Sequence, residues 1–309
     1  MKILIELPTW MGDAVMVSAA IENIVNYYNE PEITLIGSSI SIEVLKNQPC
    51  VKRSHVLTKK YLSLIKIVRN LSNFDVFFSF RSSFRSTTLK FLVSSKNKYQ
   101  FKNSKYQNRH QVEKYNDFIN DSLETNFLAG KLVVYKGKKL ITNNLKPLVG
   151  INPGASYGSA KRWYPQEFAK LAFELSSQYE ILIFGGPDEI NIAADIEKLL
   201  IAKGVTNYKN LAGNTTIQEL ISRISSLDLF ITGDSGPMHI AASFQIPTVA
   251  IFGPTNDNET SQWAMDKSII VKKHLDCQPC MKRTCPLKHH NCMNLIKSDD
   301  VLRAVKSLY

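Results

Sequence analysis

The stretch Lys2-Ile-Leu-Ile-Glu-Leu-Pro-Thr-Trp-Met-Gly-Asp13 opens the chain and decides its fold. Four of residues 2–7 are apolar, three of them consecutive, and they predict a buried strand, because a strand covered on both faces carries a near-continuous apolar run. A Gly-containing turn follows, and from Ala14 to Tyr28 apolar residues recur on one face of a predicted helix. A strand, a turn and a helix in this order are typical of a parallel, doubly wound sheet.

The same alternation of strands and helices continues along the chain and predicts an α/β protein. In the first half we predict a strand at 33–36, helices at 40–46 and 61–71, and a strand at 75–80. In the second half we predict strands at 148–152, 180–184, 227–232 and 247–252, and helices at 165–178, 189–202, 216–225, 237–244 and 298–308. Ser298 is the expected N-cap of the last helix.

Two segments interrupt the alternation. Residues 94–108 are polar and basic with little periodicity, which predicts a mobile surface loop. Residues 136–147 are rich in Lys and Asn and end in Pro, which predicts an interdomain linker. The expected domains are therefore 1–146 and 147–309, the second with a Cys-rich loop at 277–292. Two such domains in tandem predict a ligand cleft at the carboxyl ends of their strands.

Composition narrows the class of protein. The 309 residues contain 38 Lys and Arg against 27 Asp and Glu, and the whole excess of +11 lies in residues 1–150, which hold 22 against 11. With 44% hydrophobic residues the chain can bury a core, which excludes a disordered or collagen-like protein. No apolar run approaches the ~20 residues that cross a bilayer, so we expect a soluble, cytoplasmic protein. The basic half can attract nucleic acid, anionic lipid or an acidic substrate.

Glycine-bearing turns follow several of the predicted strands. The first delivers Asp13 to the start of a helix, where a carboxylate is also a good cap. A second, Asn152-Pro-Gly-Ala-Ser-Tyr-Gly-Ser-Ala-Lys-Arg162, lacks P-loop spacing, but its amides and two cations suit a diphosphate. A third, Thr232-Gly-Asp-Ser-Gly-Pro-Met-His239, places amides at a helix N-terminus, where anions bind. His239 can equally be a satisfied, partly buried side chain.

These strings, in this order, resemble those of the ADP-heptose:lipopolysaccharide heptosyltransferases of glycosyltransferase family 9. The resemblance rests on PTWMGDAVM at 8–16, NPGASYGSAKRWYPQEFAKLA at 152–172, LAGNTT at 211–216, TGDSGPMHIAA at 232–242 and IFGPT at 251–255. It implies a GT-B fold, with two Rossmann-like doubly wound domains facing across a cleft. The AKRW and PTWMGD elements most resemble the branch that transfers L-glycero-D-manno-heptose from ADP-heptose onto the first heptose of the inner core.

The resemblance also implies roles for residues at matching positions. Asp13 is expected as the general base of an inverting displacement, with Gly12 beside it in the turn. The expected donor-binding residues are Ser156, Ser159, Lys161, Asp234, Ser235, Gly236 and His239, and Glu189 is the candidate for the ribose hydroxyls by analogy with dinucleotide folds. Arg81 and Arg85, four apart, are expected to present one cationic face to the acceptor.

The implied acceptor, a heptosylated Kdo-lipid A, lies in the cytoplasmic leaflet of the inner membrane and carries carboxylates and phosphates. We therefore expect a cytoplasmic enzyme in peripheral contact with that leaflet. The basic run 90–105 is expected to hold it there by electrostatics alone. The expected partners are ADP-heptose and this acceptor, without nucleic acid.

Metal requirements are less directly indicated. The chain has no D-x-D motif, so no obligatory metal is expected, although a divalent cation such as Mg²⁺ can serve as a counterion. The spacing Cys277-x2-Cys280-x4-Cys285-x6-Cys292, near two His residues, leaves structural zinc, reduced thiols and a disulfide open.

Two alternatives to the main interpretation remain. Within the same fold, the enzyme can act on a different core acceptor, use another glycosyl donor, or be a sugar-nucleotide epimerase. A nucleic-acid-binding protein would instead present exposed aromatic residues among cations, as Tyr99, Phe101 and Tyr106 are spaced within 96–109.

Overall fold

A computed structural model describes residues 1–58, 61–137 and 146–309, without the side chains of 61–63. The chain divides into two compact units, Met1–Gly137 and Lys138–Tyr309. The predicted linker, 136–147, includes residues 138–145, which lie outside the described part of the chain.

The first unit contains one five-stranded parallel sheet. Its strands are β1 (Lys2–Glu6), β2 (Glu32–Gly37), β3 (Val51–Val56), β4 (Phe74–Ser79) and β5 (Ser95–Gln100). Its helices are α1 (Met11–Met16), α2 (Ser18–Tyr28), α3 (Ser39–Leu45), α4 (Tyr61–Arg69), α5 (Phe84–Leu92) and α6 (Gln111–Leu123). The strand order is β3-β2-β1-β4-β5, so the direction of winding reverses between β1 and β4.

The second unit repeats this winding with one more strand. Its strands are β6 (Leu148–Asn152), β7 (Glu180–Ile183), β8 (Tyr208–Asn210), β9 (Leu229–Gly233), β10 (Thr248–Ile251) and β11 (Ser268–Val271). Its helices are α7 (Pro165–Leu175), α8 (Ile190–Ala202), α9 (Ile217–Ile224), α10 (Gly236–Ser243), α11 (Asp257–Thr260), α12 (Asn291–Asn294) and α13 (Ser298–Lys306). The order β11-β10-β9-β6-β7-β8 is that of a classic Rossmann sheet, with its reversal between β6 and β9.

The prediction of two doubly wound α/β units is confirmed, because both sheets are parallel throughout their described pairings. The central strands are buried on both faces. Their sequences are therefore mostly apolar, and this allowed them to be predicted. Sequence-encoded caps fix several helices: Ser38 and Ser83 each accept a backbone N–H three residues on, and Thr216 with Glu219 forms a capping box.

The prediction of a mobile loop over 94–108 is wrong for its first half. Residues 95–100 form β5, which pairs in parallel with β4 from Phe74↔Ser95 to Ser79↔Gln100. An edge strand needs only backbone pairing on one side, so charged side chains are compatible with it and hide it from a search for apolar runs. Further along the chain, Phe101 and Tyr106 are buried, and their rings stack with centroids 5.7 Å apart. They therefore do not form an exposed aromatic surface.

Two helix starts also differ from the prediction. The helix expected over 14–28 is two helices, α1 and α2, so Asp13 lies inside the first turn of α1. Lys297, instead of Ser298, is the N-cap of α13. The N–H of Lys297 donates to Asp300, while the N–H of Ser298 donates to Glu167. The strands and helices that the sequence analysis did not predict are short, at sheet edges or rich in polar residues: β3, β5, β8, β11, α5, α6, α11 and α12.

Candidate functional site

The first unit has an open cavity of about 320 Å³ at the carboxyl ends of its strands, beside the point where the winding reverses. Ligands of open α/β sheets bind at such switch points. The cavity is lined by Pro8, Thr9, Trp10 and Asp13 after β1, by Phe80, Arg81, Ser82 and Ser83 after β4, and by Phe101, Asn103, Gln111 and Tyr115. The structure therefore brings the predicted base Asp13 and the predicted acceptor residue Arg81 to one site.

Asp13 has a buried hydrogen-bond donor beside it. The hydroxyl of Tyr115, which is 4% exposed, donates to Asp13 Oδ1 at 3.3 Å. Burial raises the pKa of Tyr115 well above its ordinary value, and the charge of Asp13 adds to the rise. Tyr115 therefore keeps its proton at physiological pH and acts as a fixed donor. Sequence reasoning missed it because α6, on which it lies, was not predicted.

Arg81 lies next to a buried carboxylate, that of Glu6. Glu6, on β1, is 1% exposed, and its carboxylate lies 3.7 Å from the Arg81 guanidinium. The hydroxyls of Ser79 and Ser86 donate to the same carboxylate at 2.6 and 3.0 Å. Burial raises the pKa of Glu6, against these hydrogen bonds and the charge of Arg81, which lower it. The sequence signal was a single charged residue within an apolar strand.

The predicted pairing of Arg81 and Arg85 on one helical face is wrong. Helix α5 begins at Phe84, so Arg81 belongs to the loop before it and the helical i, i+4 relation does not apply. The Arg85 guanidinium donates to the carbonyl oxygen of Thr58 at 2.5 Å, and Arg85 is not among the residues that line the cavity. Gly12 lies in the first turn of α1, next to Asp13.

In the second unit, Lys161 and Asp234 form a largely buried ion pair at the switch point. The Lys161 ammonium lies 2.6 Å from Asp234 Oδ2, and Thr255 donates to that same oxygen at 2.6 Å. The pair joins the loop after β6 to the loop after β9 and, through Thr255, to the loop after β10. A buried charge pair of this kind persists only with such additional hydrogen bonds.

The remaining predicted donor residues surround this pair. Ser156 and Ser159 are exposed on the loop after β6, while Ser235 is the N-cap of α10 and Gly236 its first residue. His239 is buried within α10. Asn152, at the end of β6, donates to Ser235 Oγ at 3.2 Å, a link that sequence reasoning missed. These residues put backbone amides at the N-terminus of α10 near Lys161.

Glu189 lies beneath the loop that carries Ser156. Its carboxylate is buried and accepts the N–H of Gly186 at 2.5 Å. A Cβ at Gly154 would overlap that carboxyl group, so only glycine lets the loop pass this closely over Glu189. The geometry gives Glu189 a structural role, and its contact with ribose stays a prediction.

The Cys-rich segment packs against the turn that carries Lys161. Its four cysteines line a small enclosed cavity together with Ala160, His289 and His290. Across residues 1–58, 61–137 and 146–309, no three His, Cys, Asp or Glu side chains are arranged to hold a metal ion. All five cysteines are free thiols. The cluster is thus brought to one place, and the alternatives of structural zinc, reduced thiols and a disulfide stay predictions.

Hydrogen bonds tie this segment to the Lys161 turn. The carbonyl oxygen of Arg283 accepts the N–H of Ala160 at 3.0 Å, and His290 Nε2 lies 2.8 Å from the carbonyl oxygen of Ala160. The other ring nitrogen of His290 lies 3.0 Å from the hydroxyl of Tyr164. The spacing of the cysteines pointed to this segment, but Arg283 and His290 make these hydrogen bonds with the Lys161 turn and Tyr164.

Comparison with known proteins identifies the family of the chain. The sequence model of glycosyltransferase family 9 (heptosyltransferase) matches residues 64–291. Over its whole length the chain is 42% identical to lipooligosaccharide heptosyltransferase 2 of Campylobacter jejuni serotype O:2, covering 98% of that relative. It is 33% identical over 137 residues to lipopolysaccharide heptosyltransferase 2 of Escherichia coli K12, covering 42% of this chain and 39% of that relative.

Two solved structures share the fold over nearly the full chain. The Escherichia coli ADP-heptose LPS heptosyltransferase II has a TM-score of 0.83 at 20% identity, covering 100% of this chain and 98% of that one. The family 9 glycosyl transferase of Veillonella parvula also has a TM-score of 0.83, at 18% identity, covering 99% and 96%. The GT-B class expected from the sequence is confirmed, and the protein is a glycosyltransferase. The chain belongs to glycosyltransferase family 9, the heptosyltransferase family.

Proposed function

We propose that the protein transfers L-glycero-D-manno-heptose from ADP-heptose onto the first heptose of the lipopolysaccharide or lipooligosaccharide inner core, with inversion. The observation that carries this proposal is the shared cavity of Asp13 and Arg81, which offers a carboxylate base and a cation to one acceptor. The name of the Campylobacter jejuni relative, lipooligosaccharide heptosyltransferase 2, supports the choice of reaction.

The chemistry needs one base and a stabilised leaving group. Asp13 accepts the proton of the acceptor hydroxyl as its oxygen forms a bond to the anomeric carbon of ADP-heptose. The bond from that carbon to the diphosphate oxygen breaks at the same time, and ADP leaves with the electron pair. Attack from the face opposite the diphosphate inverts the anomeric centre.

Neutralisation of the diphosphate falls to the second unit. We assign it to Lys161, to Ser156 and Ser159, and to Ser235 and Gly236 at the N-terminus of α10. Asp234 has no donor to offer a phosphate, so its contribution is to hold the Lys161 ammonium at 2.6 Å. His239 is buried in α10, and its contact with the donor stays a prediction.

No obligatory metal is part of the proposal. Lys161 and the α10 amides supply positive potential at the diphosphate, and Mg²⁺ serves as an additional counterion. We therefore expect that the enzyme retains most of its turnover in EDTA.

We place the enzyme on the cytoplasmic face of the inner membrane, in peripheral contact with it. No helix within the described residues is long and apolar enough to cross a bilayer. The acidic, lipid-linked acceptor and the net charge of +11 support a peripheral location.

The test follows product formation by mass spectrometry, with ADP-heptose and heptosyl-Kdo-lipid A as substrates. The wild type should add one heptose, and Asp13→Asn should lower kcat by about 10²- to 10⁴-fold while ADP still binds. Lys161→Met should weaken ADP binding by about tenfold or more, because a charge-assisted contact is lost. Asp195→Asn and Lys198→Met, on the exposed surface of α8, are the matched controls.

Two outcomes would change the assignment. If folded wild type adds no heptose to this acceptor but does add one to Kdo-lipid A, the protein is a heptosyltransferase I. If Asp13→Asn retains full turnover, Asp13 is not the base, whatever the acceptor.

A further inference from the structure

Helix α5 presents its bulkiest apolar side chains to solvent. Phe84 is 80% exposed and Phe91 is 84% exposed, whereas Ser86 and Leu89 of the same helix are buried. Residues seven apart lie two helical turns apart on one face. Leu92 is exposed as well, and Thr87 lies between the two phenylalanines on the surface. This helix therefore carries an outward apolar face, the reverse of an ordinary surface helix.

Cations border this face, which we call the α5 face and define by Phe84, Thr87, Phe91 and Leu92. Lys90 lies in the last turn of α5, and the Lys98 ammonium lies 3.4 Å from the carbonyl oxygen of Phe91. Residues 61–105 hold nine Lys and Arg against one acidic residue, Asp75, a balance of +8. An apolar face that is bordered by cations, in a segment with this net positive charge, is complementary to an anionic lipid surface.

The α5 face also begins next to the candidate acceptor site. Ser82 and Ser83 line the cavity that holds Asp13, and Phe84 is the next residue. An acceptor that is anchored in a bilayer must bring its sugar to Asp13 without leaving the membrane. A membrane contact at Phe84 puts the bilayer surface beside the entrance to that cavity.

We propose that the α5 face is a membrane-docking surface, whose two phenylalanines enter the interface of an anionic bilayer while the surrounding lysines contact lipid phosphates. The basic run predicted from sequence supplies only the electrostatic part of this contact. The apolar part is visible only in the structure, because the sequence does not show which side of α5 faces solvent. Whether the α5 face binds lipid does not depend on the proposed function. The argument that this contact helps a lipid-linked acceptor reach Asp13 does rest on it.

Co-sedimentation with vesicles tests the proposal on the whole protein. Wild type should bind phosphatidylcholine vesicles that contain phosphatidylglycerol, and bind pure phosphatidylcholine vesicles weakly. The double variant Phe84→Ser/Phe91→Ser should bind the anionic vesicles about tenfold or more weakly. Lys90→Gln should reduce binding about fivefold in low salt, because each interfacial cation contributes separately. Leu128→Ser, which removes an equally exposed apolar side chain elsewhere in the first unit, should leave binding unchanged.

A second arm compares acceptors for the same variants. The double variant should lose kcat/KM for acceptor embedded in vesicles and keep it for a deacylated, water-soluble acceptor. Unchanged vesicle binding by the folded double variant would overturn the proposal. It would also be overturned if wild type were a dimer by ultracentrifugation that the double variant dissociates, since the face would then bind a second copy. Activity on neither acceptor would count against the proposed function and leave the vesicle result standing.

Discussion

The hydroxyl of Tyr115 donates a hydrogen bond of 3.3 Å to Oδ1 of Asp13, and it comes from α6, about a hundred residues further along the chain. A donor at this position stabilises the ionised carboxylate, the form that a general base requires. Tyr115 thus acts on the reaction through Asp13.

Replacement of Tyr115 by Phe should lower kcat and move the acidic limb of the pH profile to higher pH. The reason is that the ionised form of the base loses one hydrogen bond, worth about 1–3 kcal/mol when the acceptor is charged. Because the pKa of Tyr115 is raised well above its ordinary value, no limb of the wild-type profile near neutral pH belongs to it. The measurement is kcat against pH for both proteins. A reduced kcat with an unmoved acidic limb would contradict the positioning role.

The buried carboxylate of Glu6 predicts a stability difference that grows with pH. Its pKa is raised in the folded protein, so the ionised form is disfavoured by folding, and stability falls as pH rises through the folded pKa. Glu6→Gln carries no charge and escapes this loss. The variant should therefore gain melting temperature relative to wild type between pH 5 and pH 8. Thermal unfolding at several pH values measures it.

The same variant should bind acceptor more weakly. Without the Glu6 carboxylate, the Arg81 guanidinium loses the charge 3.7 Å away that holds it beside the cavity. We expect KM for acceptor to rise with little change in ADP affinity. For the stability prediction, the contrary result is a difference in melting temperature between Glu6→Gln and wild type that becomes smaller from pH 5 to pH 8. The raised pKa of Glu6 would then not control stability.

His290 supports the donor side through the turn that carries Lys161. Its ring joins the Tyr164 hydroxyl to the carbonyl oxygen of Ala160, next to Lys161 in sequence. His290→Ala should weaken ADP binding by about tenfold, from two lost hydrogen bonds of about 0.5–1.5 kcal/mol each. Calorimetric titration with ADP measures this, and His289→Ala, a neighbour that lines the cysteine cavity, is the control. Equal losses in both variants would mean that the whole segment, and not His290, matters.

The sequence carried most of the fold because the central strands of both sheets are buried on both faces. Runs such as 2–7 and 247–252 can hardly be anything else in a chain with this spacing of helices. The edge strands β5 and β11 were not predicted, because a strand that pairs on one side only does not need an apolar sequence. Strand β3, at the other edge of the first sheet, is mostly exposed and was not predicted for the same reason.

The candidate site was predictable only where one loop carries both backbone and side-chain chemistry. Asp13, Lys161 and Asp234 lie in or beside the turns that follow strands, where the sequence singled them out, and their roles stay predictions. Tyr115 and Glu6 were missed because each acts through a partner about 75 to 100 residues away, as the contacts Tyr115–Asp13 and Glu6–Arg81 show. Arg85 was misplaced because a one-turn relation was assumed for a segment that is loop before Phe84.

The cysteine cavity predicts an order of thiol reactivity. Burial, reinforced by the neighbouring cysteines, raises the pKa of Cys292 from an ordinary 9.0 to about 11. Only the thiolate attacks an alkylating reagent, so two pKa units mean about a hundredfold less reactive form at pH 8. Cys292 should therefore be the last of the cluster to react with iodoacetamide in the native protein, and mass spectrometry of peptides over time gives the order.

In denaturant the four cysteines of the cluster should react alike, which separates the effect of the fold from that of local sequence. Early labelling of Cys292 in the native state would mean that the cavity opens to solvent, and the segment would then be a poor support for the Lys161 turn.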